Sequence, residues 1–105
     1  MAPICVLRPQ GRIDSATGPA LDDEISKSIA SGASRLLIDM ERVDYISSAG
    51  LRVVLHAAKQ TKSLGGHLVL CALNAQTREI FEISGFSRFL DISGSHEEAV
   101  SRLSG

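Results

Sequence analysis

No stretch of this 105-residue chain approaches the run of about 20 apolar residues that spans a bilayer. Met1 to Gln10 likewise holds no long apolar segment followed by a cleavage site, so no secretory signal is expected. Charge of one sign is also missing: eleven basic against twelve acidic residues leave a formal charge of -1. Nucleic acid usually needs a basic patch or stripe, and anionic membranes attract basic segments, so neither is an expected partner. Only two cysteines occur, Cys5 and Cys71, in separate apolar segments without C-x-x-C spacing. They are read as buried free thiols of a reducing, cytoplasmic compartment and not as a disulfide. The three histidines, His56, His67 and His96, are scattered without paired ligand spacing, so no metal and no cofactor is expected. Repeats, linkers and low-complexity tracts are absent, and residues 1–105 read as one domain, a monomer by default.

What remains is a soluble globular composition, 44% hydrophobic and 22% charged. Ile4 to Leu7 suits a strand, and Gly11 to Asp14 continues extended before a turn that Asp14 or Ser15 could cap. Pro19 fits a first helical position, and Leu21, Ile25 and Ile29 repeat at helical spacing up to Gly32. Asp22, Asp23 and Glu24 are expected in that helix's first turn, where its dipole favours negative charge. Leu36, Leu37 and Ile38 mark a buried strand within Arg35 to Met40, followed by a short extended piece, Val43 to Ile46. Leu51, Val54, Leu55 and Ala58 then build one apolar stripe of a helix that Gly65-Gly66 ends, with Arg52, His56, Lys59 and Ser63 on a polar side. Strand (His67 to Leu73), helix (Gln76 to Ile83), strand (Leu90 to Ile92) and a terminal helix capped by Ser95 complete the chain. Phe81, Phe86 and Phe89 are expected in the core. Such alternation predicts an α/β fold: a mixed, mostly parallel sheet of four to five strands packed by about four helices.

The informative stretch is Asp44-Tyr45-Ile46-Ser47-Ser48-Ala49-Gly50-Leu51. A strand ends, two hydroxyls follow, and a helix starts among small residues. A helix N-terminus offers free backbone N–H groups and a partial positive charge, which suit an anion such as phosphate. Ala49 and Gly50 are expected to keep the surface flat for a partner. From these eight residues alone, plain capping without regulation is the favoured reading, because serine is among the best N-cap residues. A Walker phosphate loop is excluded by the missing Gly-rich run and Lys-Ser/Thr pair, and a hydrolase elbow by the missing G-x-S-x-G. No base for Ser48 is evident in the sequence, so an enzyme is not expected.

Several motifs in order resemble the STAS domain, the fold shared by anti-sigma factor antagonists and the cytoplasmic tails of sulfate transporters. They are Gly11-Arg12-Ile13-Asp14, the apolar strand ending Ile38-Asp39, the central Asp44 to Leu51, Gly65-Gly66, then Arg78, Phe81 and Ser84-Gly85-Phe86, with Ile92 after them. In antagonists of that family the centre commonly reads D-S-S-G-L or D-S-[TA]-G-L, with the serine after the aspartate as phosphoacceptor. The match puts the acceptor at Ser48, with Gly50 and Leu51 as the family's Gly-Leu. Ser47 stands where the family often has aspartate, so a charge beside the acceptor is absent and a second hydroxyl is present.

The resemblance implies a partner that is an anti-sigma factor and also a serine kinase. The unphosphorylated protein would bind it and free a sigma factor, phosphorylation of Ser48 would end that binding, and a metal-dependent serine phosphatase would reset the cycle. Candidate partner-binding residues are Asp14, Ser47, Ala49, Gly50 and Arg52. Arg52, one turn beyond Ser48, suits a partner carboxylate or the phosphate itself, or is a solvated basic position. Two other readings stand: a STAS scaffold subunit of a lipid-transport or stress-signalling complex without a phosphate cycle, and a nucleotide- or lipid-sensing module.

Overall fold

The computed structural model describes residues 4–104. Six strands and four helices follow in the order β1 (Ile4–Leu7), β2 (Gly11–Ile13), α1 (Gly18–Ala30), β3 (Arg35–Asp39), β4 (Val43–Ile46), α2 (Ser48–Ser63), β5 (His67–Cys71), α3 (Ala75–Ile83), β6 (Asp91–Ser93) and α4 (His96–Ser104). Phe86–Arg88 forms one 3-10 turn before β6. The expected α/β alternation is present. Every strand pairing is parallel, in two ladders: a four-stranded sheet ordered β1-β3-β5-β6 and a separate two-stranded ladder of β2 with β4. Among the described residues no helix is long and apolar enough to cross a membrane.

The two central strands of the main sheet, β3 and β5, are buried on both faces, which is why they read as continuous apolar runs instead of alternating ones. Period two still sorts their side chains. Leu36, Ile38, Leu68 and Leu70 join Leu21 and Ile25 of α1, Leu51 and Val54 of α2, and Phe81 of α3 in the larger core cluster. Leu37, Val69 and Cys71 face the other way and pack on Ala99 and Leu103 of α4. One helix therefore covers one face while three helices cover the other.

Several local expectations shift. Asp22, Asp23 and Glu24 fall beyond the first turn of α1, because the helix already starts at Gly18 with Pro19 in its opening positions. Asp23 instead pairs with Lys27 across one turn, at 3.0 Å on the surface. The buried stripe of α2 is Gly50, Leu51, Val54, Ala57 and Thr61, rotated so that Leu55 and Ala58 sit at its half-buried edge. Thr61 is accommodated because its hydroxyl donates to the Ala57 and Ala58 carbonyls. Strand β5 stops at Cys71, since Ala72 takes the left-handed conformation (φ 59°) and cannot continue it. Phe81 is core, but Phe86 is half-buried in the 3-10 turn and Phe89 is 72% exposed, so the three aromatics do not form one cluster. Both thiols are free; Cys71 is buried, whereas Cys5 is only half-buried and donates to Ser28 Oγ at 3.4 Å.

At Gly66, where α2 turns into β5, the chain passes so close to Ser34 that an added Cβ would lie 1.8 Å from the Ser34 carbonyl oxygen. The neighbouring His67 N–H donates to that same carbonyl at 2.9 Å, so the backbone cannot retreat without losing the bond. Gly66→Ala is expected to destabilise the domain by about 1–3 kcal/mol as an overpacking change. A lower urea midpoint with an unchanged m-value would register it.

Candidate functional site

The site forms where β2 and β4, lying side by side, deliver the starts of two helices to one surface. Ile13 and Ile46, the last residues of the two strands, are register partners and fully or almost fully buried. Beyond them the chain leaves the ladder as Asp14 on one side and Ser47 on the other. The Ser47 N–H donates to the Ile13 carbonyl at 2.9 Å, which ties the start of α2 to the end of β2.

Asp14 organises its own turn. Its Oδ1 accepts from the N–H groups of Ala16 (2.9 Å) and Thr17 (3.1 Å), while Thr17 Oγ1 accepts from the Asp14 N–H and donates to the Arg12 carbonyl at 2.6 Å. These bonds hold the Asp14 carboxyl below the ordinary carboxylate range: the Thr17 N–H contributes most, then the Ala16 N–H, with Arg12 beside it. Asp14 therefore closes the turn ahead of α1 and does not cap the helix itself, whose N-cap is Thr17 without a side-chain cap bond. Arg12 Nε lies 3.5 Å from Asp14 Oδ2 and its guanidinium sits 4.7 Å above the Tyr45 ring, a stacking the sequence reading missed because the two residues meet only across the β2–β4 ladder.

The two serines divide the work at the start of α2. Ser47 is the N-cap: its backbone is extended (φ -90°, ψ 175°) and its Oγ accepts from the Gly50 N–H at 3.3 Å. Ser48 is the first helical residue and is exposed; no hydrogen bond among the described residues engages its hydroxyl. Ala49 is half-buried, and with Asp14, Pro19, Asp22 and Val53 it lines a shallow groove between the first turns of α1 and α2. Arg52, four residues after Ser48, is exposed and has no ion-pair partner among the described residues.

Gly50 departs from the expectation of a surface contact. It is buried, and a Cβ there would meet the Ile13 carbonyl oxygen at 2.6 Å and the Ile46 Cγ1 at 2.7 Å. Its missing side chain lets α2 lie against the ends of β2 and β4; it does not present a flat face to a partner. Asn74 is a further residue that the sequence reading missed. Its Oδ1 caps α3 by accepting from Thr77 N at 2.7 Å, while its Nδ2 donates to the Val43 carbonyl at 3.2 Å and so braces β4 from outside. An Asn before a helix is a cap signal in sequence; its second bond across 31 positions is not.

With a parallel α/β domain and an exposed serine opening the helix after β4, the chain belongs to the STAS-domain family, whose model matches residues 2–99. Within it, the chain is a member of the group that holds the anti-sigma factor antagonists. BtrV of Bordetella bronchiseptica is 47% identical over 90 residues, spanning 86% of this chain and 78% of that protein. The anti-sigma-B factor antagonist of Bacillus subtilis is 33% identical over 90 residues, spanning 86% and 82%. Among solved structures, the anti-sigma factor antagonist SpoIIAA in its unphosphorylated form superposes with a TM-score of 0.83 at 23% identity, over 100% of this chain and 91% of that one. The phosphorylated form of Bacillus SpoIIAA gives 0.71 at 24%, over 94% and 89%. At such identities the superpositions bear on the fold alone.

The depressed Asp14 carboxyl makes a signed prediction. A carboxyl lowered by folding stabilises above its unfolded value, near 3.8, and that stabilisation disappears as pH falls through the folded value. Asp14→Ala is therefore expected to be less stable than the parent at neutral pH, and the gap between them is expected to narrow below about pH 4. Urea unfolding of both proteins across that range checks it; a gap independent of pH would remove the Asp14 charge from the account.

Proposed function

We propose that this protein is an anti-sigma factor antagonist whose unphosphorylated form binds an anti-sigma factor with serine kinase activity, and that phosphorylation of Ser48 abolishes binding. The observation that carries this reading is the division between the serines. The Ser47 hydroxyl is spent on the Gly50 N–H, while the Ser48 hydroxyl stands exposed and unengaged. The anti-sigma-B factor antagonist relative at 33% identity supports the antagonist reading.

Phosphorylation adds about -1.5 to -2 charges at pH 7. At the first position of α2 that charge meets the positive end of the helix dipole and the N–H groups that no intrahelical carbonyl reaches, so the free domain tolerates it. Arg52, one turn along, is near enough in sequence to pair with it. A partner pressed on Ser48 and Ala49 would have to bury the dianion without a matching charge. A penalty of about 3–4 kcal/mol gives several hundredfold loss of affinity, because each 1.4 kcal/mol is tenfold. The fold needs no rearrangement for this; the interface alone changes sign. In this scheme Asp14, Ala49 and Arg52 rim the contact, Ser47 sets the helix start, a metal-dependent serine phosphatase restores the hydroxyl, and the cycle runs in the cytoplasm.

The test incubates the protein with a purified anti-sigma factor of the serine-kinase type and ATP, and reads the product by mass spectrometry. Phosphate is expected on Ser48 alone. Ser48→Ala is expected to bind the kinase and accept no phosphate, Ser48→Asp to lose at least about a hundredfold in affinity. Ser47→Ala is expected to remain a substrate while losing about 1 kcal/mol of stability with its cap. Phosphate on Ser47, or equal binding by Ser48→Ala and Ser48→Asp, would overturn the proposal.

A further inference from the structure

Away from Ser48, at the C-terminal ends of the central strands, the fold gathers three groups of ligand type. Asp39 ends β3, Cys71 ends β5 directly opposite it in register, and His96 opens α4. Their ligand atoms all lie within 4.8 Å of one another, and the His96 Nδ1 to Asp39 Oδ2 distance is 3.2 Å. Asp39 and Cys71 are buried and His96 is partly exposed. Asp39 and His96 line a cavity of about 280 Å³ that opens to solvent, together with Arg8, Glu41, Arg42 and Glu97.

We propose that Asp39, Cys71 and His96 form a three-ligand site for a thiophilic divalent transition metal of the zinc type, with water as fourth ligand. The donor set is the first argument. A thiolate, an imidazole and a carboxylate suit zinc and its neighbours, whereas magnesium and calcium take oxygen ligands. Charge is the second. The carboxylates of Asp39, Glu41 and Glu97 outnumber the guanidinium groups of Arg8 and Arg42 at this end of the sheet, so a cation is favoured there.

Geometry is the third argument. Bond lengths of about 2.0–2.3 Å put tetrahedral ligand atoms about 3.3–3.8 Å apart. The Asp39–His96 pair is already close to this, and the remaining separations need to contract by about 1–1.5 Å at most, given the 4.8 Å bound. The half-exposed ring of His96 can supply the part of that movement that brings it to Cys71, and side-chain rotation of Asp39 and Cys71 the part between those two. Arg8, whose Nε lies 3.8 Å from Asp39 Oδ2, would give way; its side chain is 64% exposed, so the surface pair is worth little. Glu97 and Glu98 in the first turn of α4 offset the positive end of that helix dipole against the incoming ion. On binding, the Cys71 thiol releases its proton to solvent, neutral His96 donates a nitrogen lone pair, and the Asp39 carboxylate donates an oxygen lone pair. The ion then bonds β3, β5 and α4 to one another.

The test treats the chelator-washed full-length protein with zinc chloride or cobalt chloride. Zinc is expected to bind one to one and raise Tm, and magnesium to do neither. Cobalt is expected to give tetrahedral visible bands and a near-ultraviolet thiolate-to-metal charge-transfer band. Cys71→Ser is expected to abolish that band, and His96→Gln to weaken affinity at least about tenfold. His96→Gln changes a partly exposed side chain and so keeps the fold if Cys71→Ser does not. Absence of a zinc-dependent Tm rise, or binding unchanged in His96→Gln, would overturn the proposal. Neither readout involves Ser48, so the phosphate switch stands or falls separately.

Discussion

The functional surface depends on one close approach: the Ile13 carbonyl against the first turn of α2. That carbonyl accepts from the Ser47 N–H and lies where a Cβ on residue 50 would stand, so only glycine lets the helix settle there. The contact fixes how α2 leaves β4 relative to how α1 leaves β2. It thereby brings Asp14 and Ala49 to the two sides of one shallow groove, and it leaves Ser48 outside. Asn74 supports the arrangement from the far side by bonding the Val43 carbonyl. The start of α2 is thus tied to β2 by a backbone hydrogen bond, while the Asp14 turn is closed by its own side-chain bonds.

A helix start tied down in this way suits the proposed switch, which works by charge. The chemistry available at the start of α2 is a single hydroxyl, a helix dipole and a nearby guanidinium. None of these needs a moving lid or a second conformation of the domain. The capped helix start matters for the same reason. With Ser47 engaged by Gly50, a change at Ser48 leaves the helix intact and alters only what a partner meets. Under the proposed phosphorylation of Ser48, the neutral side chain at position 47 leaves the adjacent position uncharged, so the added phosphate changes the charge at the helix start.

The C-terminal ends of β3 and β5 gather a different set of side chains. There the parallel register sets Asp39 beside Cys71, and the crossing of α4 over that face adds His96. The left-handed Ala72 ends β5 immediately after Cys71 and so keeps the thiol at the rim of the sheet. Polar groups collect at this rim because the strands end, their buried faces run out, and the next elements begin with capping and charged residues.

The sequence by itself determined the alternation of strands and helices, since periodicity and turn residues are local: Leu21-Ile25 in α1, Leu36-Leu37-Ile38 in β3, Gly65-Gly66 after α2. It also marked Asp14 and the Ser47-Ser48 pair as belonging to helix starts, because capping residues carry that signal within three or four positions. Tertiary structure alone decided which way each residue faces and what it meets. Gly50 turned inward and Phe89 outward because packing between β2, β4, α2 and the 3-10 turn, not local preference, sets their exposure. The Arg12–Tyr45 stack, the Asn74 brace and the Asp39–Cys71–His96 cluster join residues 25 to 57 positions apart. No spacing along the chain encodes such meetings; they arise only when crossover connections bring separate strand ends to the same edge.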